Sequence, residues 1–513
     1  MEIFRLKSLR IKDNDIFKKE IIFNFSEEAD NFSFESPYIT LILGANGTGK
    51  SNLLKFLIEV FRLAYDKQTE AEIIYYPNGK YYLEYVLGND NYIILNSLGW
   101  EDGAQNPNNI ADEKGERGIR FFKNGSEISA TKIKLPESIL ALSIMLTDKY
   151  LFLKDAKSYP IYKYLGVRRD NSTAGTRSFI GKTIDHIFTA SGNKEFIENL
   201  SETLKFLELG NEFNISYSPR YKQHFFIPDL KLYDFENFFL DNKSYLPRRT
   251  TEPWSVASFK HLKDTEPEII PKLVELLKYL SGHLENYGSS RAQYFEFNIF
   301  DINPSIQKLF YLLPYLHRLN IISYPEITLK KDRYYGIGES SSGEYHFIST
   351  IVGLLATITN KSLILIDEPE ISLHPNWQMK YIAFLNNIFK KYNSAHFIIC
   401  SHSHFLVSDL NPENSAIISL KRENETTAAS IHANTYGWSA EEVLYTVFNV
   451  RSTRNSYLEY DLTKLVTLIN RNSVDFREIK RIVDKISTLV LSEEDPLNII
   501  KEKADIYLQK NNA

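Results

Sequence analysis

A lysine and a serine at the end of a glycine-spaced loop can hold a polyphosphate. Gly44-Ala45-Asn46-Gly47-Thr48-Gly49-Lys50-Ser51 fits the pattern G-x-x-x-x-G-K-[ST], the phosphate-binding P-loop. Glycines let the backbone approach closely and turn its N–H groups toward phosphate oxygens. A helix beginning near Lys50 adds its positive dipole end. Lys50 is expected to reach the β- and γ-phosphates, and the Ser51 hydroxyl to ligate Mg2+. The expected nucleotide-contacting set is Gly44, Ala45, Asn46, Gly47, Thr48, Gly49, Lys50, Ser51 and Asn52.

Three later stretches carry groups of matching chemistry. Leu363-Ile364-Leu365-Ile366 ends in Asp367-Glu368. A buried strand would deliver these carboxylates at its C-terminal end, where ligands bind in open α/β sheets. Asp367 suits Mg2+ ligation and Glu368 suits a general base that polarises the attacking water. The plainer alternative is a solvated acidic turn, Asp367-Glu368-Pro369-Glu370. Ser340-Ser341-Ser342-Gly343-Glu344 precedes an apolar helix. It reads either as a second anion-binding helix start or as an ordinary serine N-cap. Ser401-His402-Ser403-His404 follows the expected strand His396–Cys400. A histidine there can meet a γ-phosphate or the catalytic water, or simply sit in a polar loop.

These groups need a scaffold. Tyr38–Leu43 is an apolar strand, and Leu53, Leu54, Leu57, Val60 and Phe61 form a helical stripe after the loop, ending near Tyr65. The pattern before the loop is two strands, Phe4–Ile11 and Ile21–Phe25. After it comes a meander of Tyr75–Asn78, Tyr81–Leu87 and Tyr92–Leu95. Strands follow at Ser138–Leu146 and Tyr162–Gly166. Helices then dominate, over Ile180–Thr189, Lys194–Leu209, Glu266–Tyr287 and Ile306–Leu319, with one strand at Phe213–Tyr217 and an irregular stretch from Asp229 to Trp254. From Thr328 the βαβ rhythm resumes, with a helix over Tyr345–Thr359, a strand at Ser362–Ile366, a helix over Asn376–Lys390 and strands at His396–Cys400 and Ala416–Leu420. The expected architecture is therefore α/β, one head split by an insertion. Residues 1–177 form its N-terminal lobe, 178–327 a mainly helical insertion, 328–436 its C-terminal lobe and 437–513 a helical C-terminal region.

The 513 residues, 24% charged and 43% hydrophobic, have a net charge of -5. That gives no global basic field, so nucleic acid would need a local patch. The basic clusters are Arg168, Arg169 and Arg177, with Arg248 and Arg249. A single cysteine, Cys400, excludes an internal disulfide and suggests a reducing compartment. Met1–Asp13 has no signal-peptide core, and no apolar run reaches the roughly 20 residues of a spanning helix. The expected location is cytoplasmic, without a membrane partner.

The order P-loop, Ser-Ser-Gly-Glu, strand–Asp–Glu–Pro, Ser-Leu-His and Ser-His resembles the ABC-type ATPase head. The variant Asp367-Glu368-Pro369-Glu370-Ile371-Ser372-Leu373-His374-Pro375 is similar to the RecF, SMC and OLD group. The resemblance implies that Ser341, Gly343 and Glu344 belong to the signature that closes over the nucleotide of a second copy. It also implies that Ser372-Leu373-His374 is the D-loop and His402 the switch histidine. Heads would then act as a homodimer or higher homo-oligomer with ATP and Mg2+. Catalysis would fall to Lys50, Glu368 and His402, and the metal to Ser51 and Asp367. Two departures stand out: Ser340 replaces the usual leucine, and no glutamine can be assigned to the Q-loop. The insertion is too short and non-heptad for an SMC arm, and the residues after Tyr436 lack the acidic strand ends of a Toprim nuclease. Tyr436-Gly437-Trp438-Ser439, Glu441-Glu442-Val443-Leu444 and Val450-Arg451-Ser452-Thr453-Arg454 are similar to the tails of PtuA-like ATPases of Septu and retron-associated anti-phage systems. That resemblance implies a separate HNH nuclease subunit, with DNA or structured RNA as a further partner. The alternatives are a RecF-like repair ATPase and a slow-hydrolysing nucleotide-sensing scaffold.

Overall fold

Unbroken apolar runs, rather than alternation, mark the strands that carry the site. Tyr38–Gly44, Ser138–Ser143, Ser362–Asp367 and His396–Ser401 are buried at every position. This is the signature of parallel strands covered on both faces. The computed structural model describes residues 3–26, 35–73, 75–96, 118–145, 147–152, 158–168, 176–240, 253–286, 293–302, 307–407, 409–411, 413–423, 426–432, 440–446, 448, 455–489 and 495–510. They fall into two units, Met1–Ala440 and Glu441–Ala513.

The first unit is built on a seven-stranded sheet. Its order is Thr426–His432, Ser415–Glu423, Tyr38–Gly44, His396–Ser401, Ser362–Asp367, Ser138–Ser143 and Tyr162–Tyr164. All neighbours are parallel except the Ser415–Glu423/Thr426–His432 hairpin. A six-stranded antiparallel sheet runs Ile21–Asn24, Phe4–Lys12, Lys80–Leu87, Asp90–Asn96, Ile119–Lys123 and Ser126–Ile128. Burial alternates strictly along Lys80–Leu87, because one face meets the core and the other solvent. The P-loop helix, Lys50–Gln68, shares one core with both sheets. Phe61 meets Phe4 and Tyr85 at ring distances of 6.4 and 5.4 Å, while Leu53, Leu54 and Leu57 join Ile42, Leu365 and Ile398. The expected strand Tyr75–Asn78 is not formed; the meander is the Lys80–Leu87/Asp90–Asn96 hairpin turning at Gly88-Asn89.

From Thr176 to Gly336, helices Thr176–Ala190, Lys194–Phe206, Trp254–Thr265 and Ile269–Ser281 accompany a five-stranded antiparallel sheet, and its strands Glu326–Lys330 and Tyr334–Gly336 carry it past Thr328, the expected point of return to the βαβ rhythm. The stretch read as irregular contains a helix, Leu232–Leu240. Its Phe235, Phe238 and Phe239 stand at i, i+3 and i+4 and pack on Phe225 and Phe259, with ring distances of 4.5 Å to Phe225 and 4.7 Å to Phe259. Helix Ile306–Leu319 is shorter than expected. A 3-10 turn, Phe310–Leu312, leads into Leu313–Arg318, with Pro314 in the first helical turn, where its missing N–H costs nothing. Phe206 packs against Phe347 and Phe384 at 5.2 and 4.4 Å. The insertion thereby fixes the two helices, Ser342–Thr357 and Pro375–Ile388, that follow the small-residue loop and the Asp-Glu turn.

The second unit holds helices Ser456–Asn470, Phe476–Ser487 and Pro496–Lys510 around Leu465, Ile479, Ile482, Val483 and Ile486. Lys485 reaches the buried Asp461 at 2.5 Å. Among the described residues of the chain, no helix is long and apolar enough to cross a membrane.

Arg168 is not a free surface cation. Its guanidinium contacts both oxygens of the fully buried Asp148 at 2.5 and 3.0 Å, and donates to Tyr150 O at 2.7 Å. Tyr150 in turn donates to Leu365 O, on the strand that carries Asp367. This arginine is committed to the fold rather than to nucleic-acid phosphates. Arg169, Arg248, Arg249, the side chain of Arg177 and the segments 436–439 and 450–454 lie outside the described residues. Asp148→Ala removes the buried carboxylate from the half-buried Arg168 guanidinium, which keeps its bond to Tyr150 O, and is expected to destabilise the chain by about 1–3 kcal/mol. Urea unfolding monitored by circular dichroism measures this; a loss under about 1 kcal/mol would contradict it.

Candidate functional site

The P-loop leaves the sheet at Gly44 and enters its helix through Gly49. Gly49 has φ +97°, and a Cβ there would sit 2.8 Å from the Phe17 ring. Both backbone and packing therefore demand glycine. Ala45, Asn46 and Gly47 form an exposed crest, and Ser51 and Asn52 begin the helix half-buried. Lys50 is buried, and its Nζ donates to Gly44 O at 2.8 Å and Ala45 O at 3.3 Å. The same Nζ lies 2.8 Å from His402 Nε2. Burial pulls the Lys50 pKa below its ordinary value, against the opposing pull of Glu368 and Asp367.

Asp367 is 2% exposed, and its Oδ1 has no hydrogen-bond partner among the described residues. Desolvation pushes its carboxyl up to about 6, while the Ser51 hydroxyl bonds to it and favours the charge. An orphaned carboxylate oxygen beside a serine hydroxyl fits a divalent cation that keeps several waters and uses few protein ligands, as Mg2+ does. Glu368 stands one residue on, in a left-handed conformation at φ +51°. Its N–H donates to Cys400 O at 2.8 Å and its Oε1 lies 3.0 Å from His402 Nε2. That histidine contact holds the Glu368 carboxyl below the usual range, so it is ionised at neutral pH. Non-glycine residues persist at such φ only where the surroundings fix them, often at functional sites.

Lys50, Ser51, Asp367, Glu368 and His402 are thus brought together. Ser341, Gly343 and Glu344 form a different group. The Ser341 hydroxyl accepts from Glu344 N–H at 3.2 Å, and Glu344 Oε2 accepts from Ser341 N–H at 3.1 Å, a reciprocal capping box on helix Ser342–Thr357. A Cβ on Gly343 would lie 2.1 Å from Ser372 O, so this glycine packs on the Ser372 turn. Among the described residues, no hydrogen bond joins Ser341 or Gly343 to the P-loop. His404 starts a short 3-10 turn and packs on Phe405. No cluster of three or more His, Cys, Asp or Glu side chains suited to a metal ion occurs among the described residues.

Several residues at the site escaped the sequence reading. Leu420 pairs with Gly44, and the strand Ser415–Glu423 runs on past the expected end at Leu420 and carries Arg422 to the loop, with Nη1 3.4 Å from Gly47 O. Thr427, across the hairpin, donates to Thr48 O at 3.3 Å. The signal was a basic pair, Lys421-Arg422, just beyond a strand adjacent to the P-loop strand. Ser143 stands opposite Asp367 in the ladder. The chain from Ser138 to Arg168 contains no glutamine, which is why no Q-loop ligand could be assigned.

The sequence pattern of the AAA ATPase domain family matches residues 5–407. The chain belongs to the AAA ATPase domain family. It is an ATP-hydrolysing enzyme, and its architecture is the expected one: a P-loop α/β head with a helical insertion and a helical C-terminal region. Among solved structures, this AAA ATPase is similar to the SMC head domain from Thermotoga maritima, at 12% identity over 83% of this chain and 98% of that one, with a TM-score of 0.33. It is also similar to the Smc head domain bound to the C-terminal domain of ScpA derived from Pyrococcus furiosus (14%, 88% and 100%, TM-score 0.32). A third is the recombination mediator protein RecF with ATP (12%, 81% and 95%, TM-score 0.27).

The raised Asp367 pKa has a sign that can be tested. Between its ordinary value of 3.8 and about 6 the folded AAA ATPase holds more protons than the unfolded chain, so stability falls as pH rises through that window. By pH 7 the ionised carboxylate costs on the order of 2–3 kcal/mol. In EDTA, Asp367→Asn is expected to raise the thermal midpoint at pH 7 but not at pH 4. Adding Mg2+ with nucleotide should raise the wild-type midpoint more than the variant's. A variant midpoint at or below wild type at pH 7 would contradict the assignment.

Proposed function

We propose that this AAA ATPase works as a nucleotide-closed head of the RecF and SMC type, in which ATP draws two copies together and hydrolysis releases them. One observation carries this reading. Lys50 Nζ, His402 Nε2 and Glu368 Oε1 form one chain of contacts at 2.8 and 3.0 Å, while Ser341 and Glu344 cap a separate helix whose first turn carries Gly343. A second copy can bring that helix start to the phosphates, which the hydrogen bonding within one chain does not.

In this proposal the P-loop N–H groups and Lys50 hold the ATP phosphates, and Ser51 and Asp367 hold Mg2+. Bound there, the cation would neutralise charge on the phosphate oxygens. Glu368, ionised at neutral pH, orients and polarises the attacking water rather than storing a proton in advance. His402 links that water site to Lys50 and stabilises negative charge on the γ-phosphate. Ser341, Gly343 and Glu344 act on the partner's nucleotide. Residues 1–177 and 328–436 are the two lobes of the head, 178–327 the insertion and 437–513 a docking region.

A second reading takes the same head as a subunit of an anti-phage complex of the Septu or retron-associated kind, controlling an HNH nuclease. Its support is the tail sequence Tyr436-Gly437-Trp438-Ser439, Glu441-Glu442-Val443-Leu444 and Val450-Arg451-Ser452-Thr453-Arg454.

Glu368→Gln is expected to lower turnover about 10²–10⁴-fold and to accumulate an ATP-bound dimer, read by light scattering behind gel filtration. Lys50→Ala should lose both nucleotide binding and dimer. A Glu368→Gln protein that stays monomeric in saturating Mg-ATP would sink the head-closure reading. Unimpaired biological function in that variant would favour a sensing scaffold. Co-purification with an HNH nuclease encoded next to it would favour the defence reading, and ATP-dependent duplex binding by the protein alone would favour repair.

A further inference from the structure

The imidazole of His402 touches Lys50 and Glu368, both groups of the reacting centre, so its placement must come from elsewhere. His402 N–H donates to Glu370 Oε1 at 2.6 Å, a charge-assisted bond reaching from one catalytic turn to the other. Glu370 Oε2 is buried without a partner among the described residues, so this carboxylate is held at the His402 backbone with its second oxygen unmatched. The next residue is held too. Ser403 Oγ donates to Gln378 Oε1 at 2.6 Å, and Gln378 Nε2 donates to Leu373 O at 2.9 Å and Glu370 O at 3.4 Å. Ser403 N–H donates to Ser401 Oγ at 2.8 Å. The turn from Glu368 to His374 contains two left-handed residues, Glu368 at φ +51° and Ser372 at φ +65°. Such a backbone keeps its shape only where outside bonds hold it.

We propose that Glu370 and Gln378 form a clasp that positions His402 against Lys50 and Glu368. Neither residue meets substrate. Glu370 fixes the His402 main chain, and Gln378 locks the following Ser403 to the Ser372 turn, so the two catalytic turns move as one body. The proposal rests on the reading of His402 as a participant in hydrolysis. It adds two positioning residues, one on the acidic turn and one on helix Pro375–Ile388. A clasp of this kind sets turnover, not nucleotide affinity. A displacement of the imidazole by about 1 Å suffices for a loss of up to about a hundredfold.

The test compares purified Glu370→Ala, Glu370→Gln, Gln378→Leu, His402→Ala and the double variant Glu370→Ala/His402→Ala, with steady-state ATP hydrolysis and equilibrium binding of a fluorescent ATP analogue. Glu370→Ala and Gln378→Leu are expected to lower kcat about 10- to 100-fold while the analogue's Kd stays within about twofold. Glu370→Gln keeps an oxygen acceptor for the His402 N–H and should recover most of the rate. The double variant should be no slower than His402→Ala alone, because both changes act through one imidazole. If His402→Ala is slow but Glu370→Ala and Gln378→Leu turn over normally, the clasp is overturned and the histidine's role survives. The clasp also falls if the double variant is slower by the product of the two single effects, or if Kd rises in step with the loss of kcat. If His402→Ala itself turns over normally, the underlying reading of His402 fails and the clasp with it. Should Glu370→Ala melt below the assay temperature, Gln378→Leu breaks the other half of the clasp and carries the same expectations.

Discussion

Ile42, Cys400 and Asp367 stand side by side on three neighbouring parallel strands, in one continuous register. Everything chemical in the chain hangs from that alignment. The P-loop opens two residues beyond Ile42, His402 lies two residues beyond Cys400, and Glu368 lies one beyond Asp367. Because strand side chains alternate, a slip of one residue would turn each of them to the wrong face. The alignment is secured by burial: all three strands are enclosed on both faces, and a change of register would put polar side chains into an apolar core. Cys400 belongs to this scaffold, fully buried with its Sγ 3.8 Å from Lys50 O, and burial raises its thiol pKa well above the ordinary value.

The same few ångströms of separation give neighbouring groups opposite electrostatic fates. Asp367 lies under the sheet end, where desolvation dominates and favours the protonated form; Glu368, one residue on, sits beside His402 and stays ionised. Environment, not residue type, divides their work, as it does wherever adjacent carboxyls take different roles. A cation at Asp367 would remove the penalty its burial imposes, so the residue that costs stability alone becomes an anchor when charge is supplied.

How much of this was legible in the residues depended on whether the cause was local. The P-loop, the strand ending in Asp367-Glu368 and the strand ending before His402 announce themselves through spacing and apolar runs. The sheet then brings together groups that lie far apart along the chain. The Leu232–Leu240 helix was missed because its core contacts are aromatic rings contributed by Phe225 and Phe259, a tertiary cause that periodicity within one segment understates. Arg168 read as a surface charge because nothing nearby in sequence shows that Asp148 is buried beneath it. Arg422, Glu370 and Gln378 were invisible for the same reason: each acts on backbone atoms of a different turn, and a backbone carbonyl or N–H has no letter in the sequence. Ser341 illustrates the converse. Its cap on the following helix was one of two readings open from sequence, and a capping serine can still present its helix start to a ligand.

The arrangement of the central sheet also bears on how the polypeptide is made. Tyr38 pairs with His396 on one side and Ile39 with Ser415 on the other, so the P-loop strand meets its neighbours only after most of the polypeptide exists. At ribosomal speeds of about 5–20 residues per second, roughly 20 to 70 s separate the emergence of Gly44 from that of Ser401. During that interval a largely apolar strand has no permanent partner on either edge, the condition under which nascent chains associate with one another. The antiparallel hairpins Phe4–Lys12/Ile21–Asn24 and Lys80–Leu87/Asp90–Asn96 assemble from nearby residues and share their core with the P-loop helix. They give that helix an early hydrophobic harbour, and the nucleotide-binding surface is among the last parts of the first unit to mature.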